Sequence, residues 1–211
     1  DEEESLLVDT LYDLELTGEM LRKIRAAEPA THSIGTLVNT HANGDHCHGN
    51  ELVTGANIIA SAASALEMGE LTPEAMAAIM ESTREPGPLS EYFQHCFGQF
   101  RFDGIRFTPP THTFNGELDL KIGDKQVHLL EVGPAHTRGD VLVHSPSDRV
   151  VFTGDILFID STPLMWEGPA ANWIKACLLI EEMDVDFIVP GHGPITDKHG
   201  VAKVRRYLQY V

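Results

Sequence analysis

The chain has 211 residues against roughly 150 for an average domain, which favours one compact domain over residues 1–211. Apolar types make up 42% and charged types 22%, an ordinary globular balance that excludes a disordered, collagenous or purely coiled-coil chain. The 32 acidic and 15 basic residues leave a formal charge of −17, which repels phosphate backbones and anionic membrane surfaces and counts against nucleic acid as a partner.

The longest apolar runs, such as residues 58–60 and 150–152, fall far short of the ~20 residues that span a bilayer, so no transmembrane helix is expected. Cys47, Cys96 and Cys177 are an odd set without framework spacing, which points to a reducing compartment. The start, Asp1-Glu2-Glu3-Glu4, is acidic where a secretory signal would be basic and then apolar. The expected location is cytoplasmic.

In chain order, residues 5–9 (SLLVD) read as a short buried strand, and residues 18–27 carry Met20, Leu21 and Ile24 at helical spacing. Residues 34–38 form a second apolar strand that runs into the polar stretch Asn39-Thr40-His41-Ala42-Asn43-Gly44-Asp45-His46. A strand at 57–60 follows. Thr72-Pro73-Glu74 then has the marks of a helix start, with a hydroxyl cap, proline in the first turn and an early acid. Met76, Ile79 and Met80 mark its buried face. Glu85-Pro86-Gly87-Pro88 breaks the helices, 90–97 forms another, and an irregular stretch to Pro110 is the segment most suited to a lid. The alternation LDLKI, then Gly123-Asp124-Lys125, then QVHLLEV over 118–132 predicts a hairpin. Strands at 141–144, 149–153 and 187–189 and helices at 172–183 and 198–210 complete the pattern. That order suits two sheets packed face to face with helices outside, a four-layer α/β sandwich.

Four polar clusters each follow an apolar strand, where side chains can converge at one sheet edge. They are His41 to His46, Gly133-Pro-Ala-His136-Thr-Arg-Gly-Asp140, Thr153-Gly-Asp155, and Pro190-Gly-His192-Gly. Imidazole and carboxylate are the ligands a zinc-like ion takes when thiolates are absent, and the inventory is large enough for two ions.

With these residues in place the chain resembles the metallo-β-lactamase-fold superfamily, whose signature T-H-x-H-x-D-H is followed by a distant His, an Asp in a strand-end G-D and a final G-H. The matching run is Thr40-His41-Ala42-Asn43-Gly44-Asp45-His46, with His136, Asp155 and His192 in the same order. The resemblance implies an αββα sandwich. It also implies one ion held by His41, Asn43, His136 and Asp155, and a second held by Asp45, His46, His192 and Asp155, with Asp155 bridging. Zinc is the expected metal, one or two ions per chain, although the mixed His, Asp and Asn set also admits iron or manganese.

Two departures matter. Asn43 stands where the family has His, and a neutral amide oxygen is a weaker zinc ligand than imidazole, which predicts a weaker first site. His48 lies close by but follows the motif. The family also opens with a strand hairpin ahead of the segment that residues 5–9 match, so the first strands of the fold are expected to be missing from this sequence.

In the family the metal lowers the pKa of bound water from 15.7 toward ~7 and polarises the carbonyl under attack. The expected reaction is hydrolysis of an ester, thioester, lactone or amide by hydroxide, with Asp45 orienting the water and shuttling its proton. Cys47, beside His46, reads as buried rather than nucleophilic. Asp140 is the first choice for fixing a ligand imidazole from behind, and Asp9 the second. Met165 and Trp166, in the loop after Asp155, offer apolar and aromatic surface to a flat or oily acyl group. Phe93, Phe97, Phe100 and Phe102 are candidates for the opposite wall or for packing under a long loop.

Among the branches, glutathione-thioester hydrolases carry a helical domain after the last His, whereas about twenty residues follow His192 here. Lactamases with a Cys ligand do not match, because Asp155 holds that position. The H-x-N-x-D-H variant and the M-W-x-G-P loop resemble stand-alone members that include aromatic polyketide cyclases, in which the metal would act as a Lewis acid. A third reading is a ligand-binding relative that lost catalysis when position 43 changed. The partner expected throughout is a small acyl or aromatic molecule.

Overall fold

The computed structural model describes residues 4–83, 85 and 87–211. The acidic stretch from Asp1 to Glu3 and Pro86 of the helix-breaking segment lie outside the described residues. The first sheet is parallel and runs in order β1 (Leu6–Val8), β2 (Thr36–Val38), β3 (Asn57–Ser61) and β4 (His112–Phe114). The second holds β5 (Glu117–Ile122), β6 (Lys125–Glu131), β7 (Val141–Ser145) and β8 (Val150–Phe152) as antiparallel neighbours, with β9 (Phe187–Val189) parallel to β8.

Strand alternation builds the layers. Successive side chains leave opposite faces of a strand, so Val38 and Ile59 enter the space between the sheets while Leu37 and Ile58 face outward. Val127, Leu129, Val141 and Val143 meet them from the second sheet. Leu37 and Ile58 pack with Leu21 of α1 (Leu14–Ala27). On the far side, Leu142, Val151 and Ile188 pack under α6 (Ala170–Glu182) and α7 (Lys198–Tyr210). The order helix, sheet, sheet, helix is the αββα sandwich. No helix among the described residues is long and apolar enough to cross a membrane.

The helix starts follow their caps. α1 begins four residues before the expected 18, because the Asp13 carboxylate accepts from the Leu16 amide and satisfies an early backbone donor. α4 (Pro73–Ser82) begins as expected, with the Thr72 hydroxyl accepting from the Ala75 amide. α5 (Pro88–Phe97) starts two residues earlier than expected, on its proline. The short helices α2 (Gly44–Cys47) and α3 (Ala62–Glu67) and strand β4 were not anticipated, being too short to show a period.

The aromatic supply has a structural job. Phe97, Phe100 and Phe102 surround the Tyr12 ring edge-on at centroid distances of 6.1, 4.9 and 4.9 Å, and Phe93 leans on Phe97. Of the two readings of these rings, packing is the one their contacts support. Met76 is buried in the same cluster, with Ile79 and Met80 packed against it.

Candidate metal centre

All four polar clusters arrive at one edge of the two sheets, and Asp155 is where they meet. Its carboxylate lies in the short turn Gly154–Ile156 after β8. Asp155 Oδ1 is 3.2 Å from His46 Nε2, and Oδ2 is 3.3 Å from both His136 Nε2 and His192 Nε2 and 3.7 Å from His41 Nε2. Asp45 Oδ2 closes the group at 3.3 Å from His192 Nε2 and 3.6 Å from His46 Nε2. Backbone approach makes this possible. A Cβ on Gly191 would overlap Asp155 Oδ1, and Gly154 holds φ +49 with the Thr40 side chain against it.

Three of the four imidazoles are aimed from behind. Asp9, at the end of β1 with φ +60, folds its carboxylate over the next loop. Oδ1 accepts from the Thr40 amide at 2.7 Å, and Oδ2 accepts from the Thr40 hydroxyl at 2.7 Å and from His46 Nδ1 at 2.9 Å. Because the Thr40 proton goes to Asp9, the Thr40 oxygen accepts from His41 Nδ1 at 3.0 Å. His136 Nδ1 donates to the Leu164 carbonyl at 2.6 Å. Each of the three rings therefore carries a proton on Nδ1 and turns Nε2 toward Asp155, the arrangement that hydrogen-bond partners behind metal-ligating histidines impose.

Asp140 takes no part in this. Its buried carboxylate accepts from the Thr137 amide and hydroxyl instead. Burial, against those Thr137 hydrogen bonds, lifts its pKa to about 7. Of the two carboxylates proposed to fix an imidazole, Asp9 is the one that does so, directly for His46 and through Thr40 for His41, and the Leu164 carbonyl, invisible to any reading of side-chain types, holds His136. His48 also stands apart, stacked on Tyr12 at 5.4 Å. Cys47 is buried with its thiol on the Ala42 carbonyl, and burial beside Asp9 and Asp45 pushes its pKa far up. It is not a nucleophile.

The residues fit a metal. Two groups, His41–His46–Asp155 and Asp45–His46–His192, each bring three ligand atoms within 4.8 Å of one another. A tetrahedron with arms of about 2.0–2.1 Å has edges of about 3.3 Å, close to the spacings above. His41 Nε2 and Asp155 Oδ1 are buried atoms without a hydrogen-bond partner, a costly state that a cation between them would relieve. Burial opposes charge on Asp155 and His46, yet their mutual attraction wins. Asp155 is held well below the usual carboxylate range and His46, beside Asp155, Asp45 and Asp9, well above the usual imidazole range. Burial also opposes charge on Asp45, which His46 and His192 nevertheless hold ionised, with a pKa of about 2.

Asn43 places its amide 3.1 Å from His136 Nε2. Met165 and Trp166 sit in a loop clamped to the same histidine. The Trp166 and Glu167 amides donate to the His136 carbonyl at 3.0 and 3.2 Å, and the Gly168 amide to that of Ala135 at 2.8 Å. The side chains of this loop face outward, Trp166 64% exposed and Met165 43%.

A family model described as the metallo-beta-lactamase superfamily matches residues 1–192, and the chain belongs to that superfamily. The human acyl-coenzyme A thioesterase MBLAC2 is 25% identical over 203 residues, covering 90% of this chain and 69% of that protein. The Gallus gallus protein of the same name matches over 55% of its own length. A hydroxyacylglutathione hydrolase of Maricaulis maris is 27% identical over 154 residues, 71% of this chain and 44% of that one. The length argument against the glutathione branch therefore carries no weight for the ligand-bearing region. Among solved structures, a metallo-beta-lactamase from Pontibacter korlensis superposes with a TM-score of 0.72 at 20% identity, covering all of this chain and 84% of its own. Family and relatives together make this chain a metal-dependent hydrolase by class.

Proposed function

We propose that the protein is a zinc-dependent hydrolase of small-molecule thioesters, with esters and lactones open to the same site. The observation that carries this reading is the set of three imidazoles, on His41, His46 and His136, each fixed through Nδ1 and each turning Nε2 toward Asp155. His192 and Asp45 complete the set from the other side. When bound there, zinc polarises an acyl carbonyl and brings the pKa of a water down toward neutrality.

The chain's own residues do the rest. Asp45, ionised at neutral pH and partly open to solvent, accepts a hydrogen bond from the attacking water and orients it. With a pKa of about 2 it acts as an orienting acceptor more than as a strong base. The exposed Met165 and Trp166 surfaces offer an apolar seat for the acyl chain, held at fixed distance from the ligands by the backbone bonds to His136. A thiol of pKa ≈ 8.5 leaves as thiolate without a proton donor, whereas an amine needs one. That chemistry and the names of the human and Maricaulis relatives favour thioesters over amides.

The test is release of free thiol from acyl thioesters, abolished by a chelator and restored by zinc. Turnover that persists in chelator would refute the proposal. The exposed indole of Trp166 also suits a planar substrate, and this supports a second reading as a Lewis-acid aromatic polyketide cyclase. Product mass separates the two, since hydrolysis adds one water and cyclisation with dehydration loses one.

A further inference from the structure

We infer that Asn43 keeps the two halves of the metal centre unequal by occupying the ligand atom of His136. The inference rests on the metal-site part of the proposed function and is independent of the substrate. The Leu164 carbonyl can only accept, so the proton of His136 is on Nδ1 and Nε2 carries a lone pair. An amide oxygen facing that lone pair would be repelled. The group 3.1 Å away is accordingly the Asn43 amide nitrogen, donating a hydrogen bond into the position a metal would take.

The two halves then differ in kind. Asp45, His46, His192 and Asp155 bring two carboxylates and two imidazoles together, with ligand atoms 3.2–3.6 Å apart. The other half has His41 and His136, a share of Asp155 and a neutral amide that must let go of His136 and rotate before its oxygen can serve. A divalent ion is drawn to the half with two carboxylates, where no neutral amide sits on a ligand nitrogen. The first ion loads at Asp45, His46, His192 and Asp155, and a second enters only at higher metal concentration.

The experiment is zinc titration of metal-free protein against a chromophoric chelator, read as the dissociation constant of each equivalent, with circular dichroism to confirm folding. Wild type is expected to show two constants at least about tenfold apart, since even an outer-shell change costs 10–100-fold in affinity. Asn43→His should tighten the second equivalent and leave the first within a few-fold. His136→Ala should lose the second equivalent and keep the first, whereas His192→Ala should lose the tight one. Two equal equivalents in wild type, an Asn43→His variant with an unchanged second constant, or a His136→Ala variant that loses the tight ion would overturn the inference while leaving a zinc hydrolase intact. A folded protein that takes up no zinc at all would overturn both.

Discussion

Replacing Asp9 by Asn changes two atoms' chemistry and almost no volume, so it tests the network behind the imidazoles directly. The carboxylate accepts three hydrogen bonds, from the Thr40 amide, the Thr40 hydroxyl and His46 Nδ1. Asparagine has one acceptor oxygen on that fork. If the oxygen stays on the Thr40 amide, the new NH₂ faces His46 Nδ1, a donor against a donor. The ring escapes by moving its proton to Nε2, the atom 3.2 Å from Asp155 Oδ1, and so ceases to be a ligand in its resting form. Loss of an outer-shell partner lowers metal affinity 10–100-fold, which at 1.4 kcal/mol per tenfold is about 1.4–2.8 kcal/mol. The assay is zinc competition at neutral pH with wild type in parallel, and far-ultraviolet circular dichroism establishes that the variant is folded. A folded Asp9→Asn protein with wild-type zinc affinity would show that this carboxylate does not hold His46 in its ligand tautomer.

Gly191→Ala drives a methyl into Asp155 Oδ1 and the Gly154 backbone; we expect zinc uptake to collapse and the melting temperature to drop, read by elemental analysis and thermal unfolding. Asp140 has a pKa of about 7 when folded, raised mainly by burial, against an ordinary carboxylate value when unfolded. The native state then holds the extra proton between about pH 4 and 7, and stability is lost as pH rises through that window; Asp140→Asn should remove this slope, seen as denaturation midpoints that gain on wild type as pH rises from about 4 and stay ahead of it by a constant margin above about pH 7. The charge of −17 repels anionic thiol carriers, and the Arg138 guanidinium near the Trp166 loop is already engaged by Glu70, with Glu167 3.6 Å away. The kcat/KM for a polyanionic thioester should therefore rise between 20 and 200 mM salt, as screening takes effect, while that for a neutral thioester stays flat.

The candidate ligand set was legible because metal ligands are side chains of a few types at fixed places. His41, Asp45, His46, His136, Asp155 and His192 could be named as candidates before any fold was known, and the structure brings them together at the strand-end turns that mark the sheet edges. The two sheets were legible from alternation, as in residues 118–132, where Leu118, Leu120, Val127 and Leu129 face the inter-sheet core. What stayed hidden is what depends on backbone groups or on distance in three dimensions. The Leu164 carbonyl has no side-chain signature. Asp140 is close to His136 in sequence yet turns back on Thr137, whereas Asp9 is 37 positions from His46 and reaches it because β1 and β2 are hydrogen-bonded neighbours. Its value of φ, +60, is a conformation that Asp tolerates better than most residues, and no local pattern announces it.

Under the proposed function, His136 is the residue on which metal and acyl seat depend together. Its Nδ1 is tied to the Leu164 carbonyl, its own carbonyl receives the amides of Trp166 and Glu167, and its Nε2 faces Asp155 and Asn43. Trp173 packs edge-on to its ring at 5.8 Å and donates to the Ile156 carbonyl, one residue beyond Asp155. A loop held to His136 by main-chain bonds cannot shift its backbone without disturbing that residue. Reaction rates are sensitive to displacements of about an ångström in the approach of nucleophile to carbonyl, and under the proposed function these bonds would tie the position of an oily chain on the loop to that of its carbonyl at the candidate ligands.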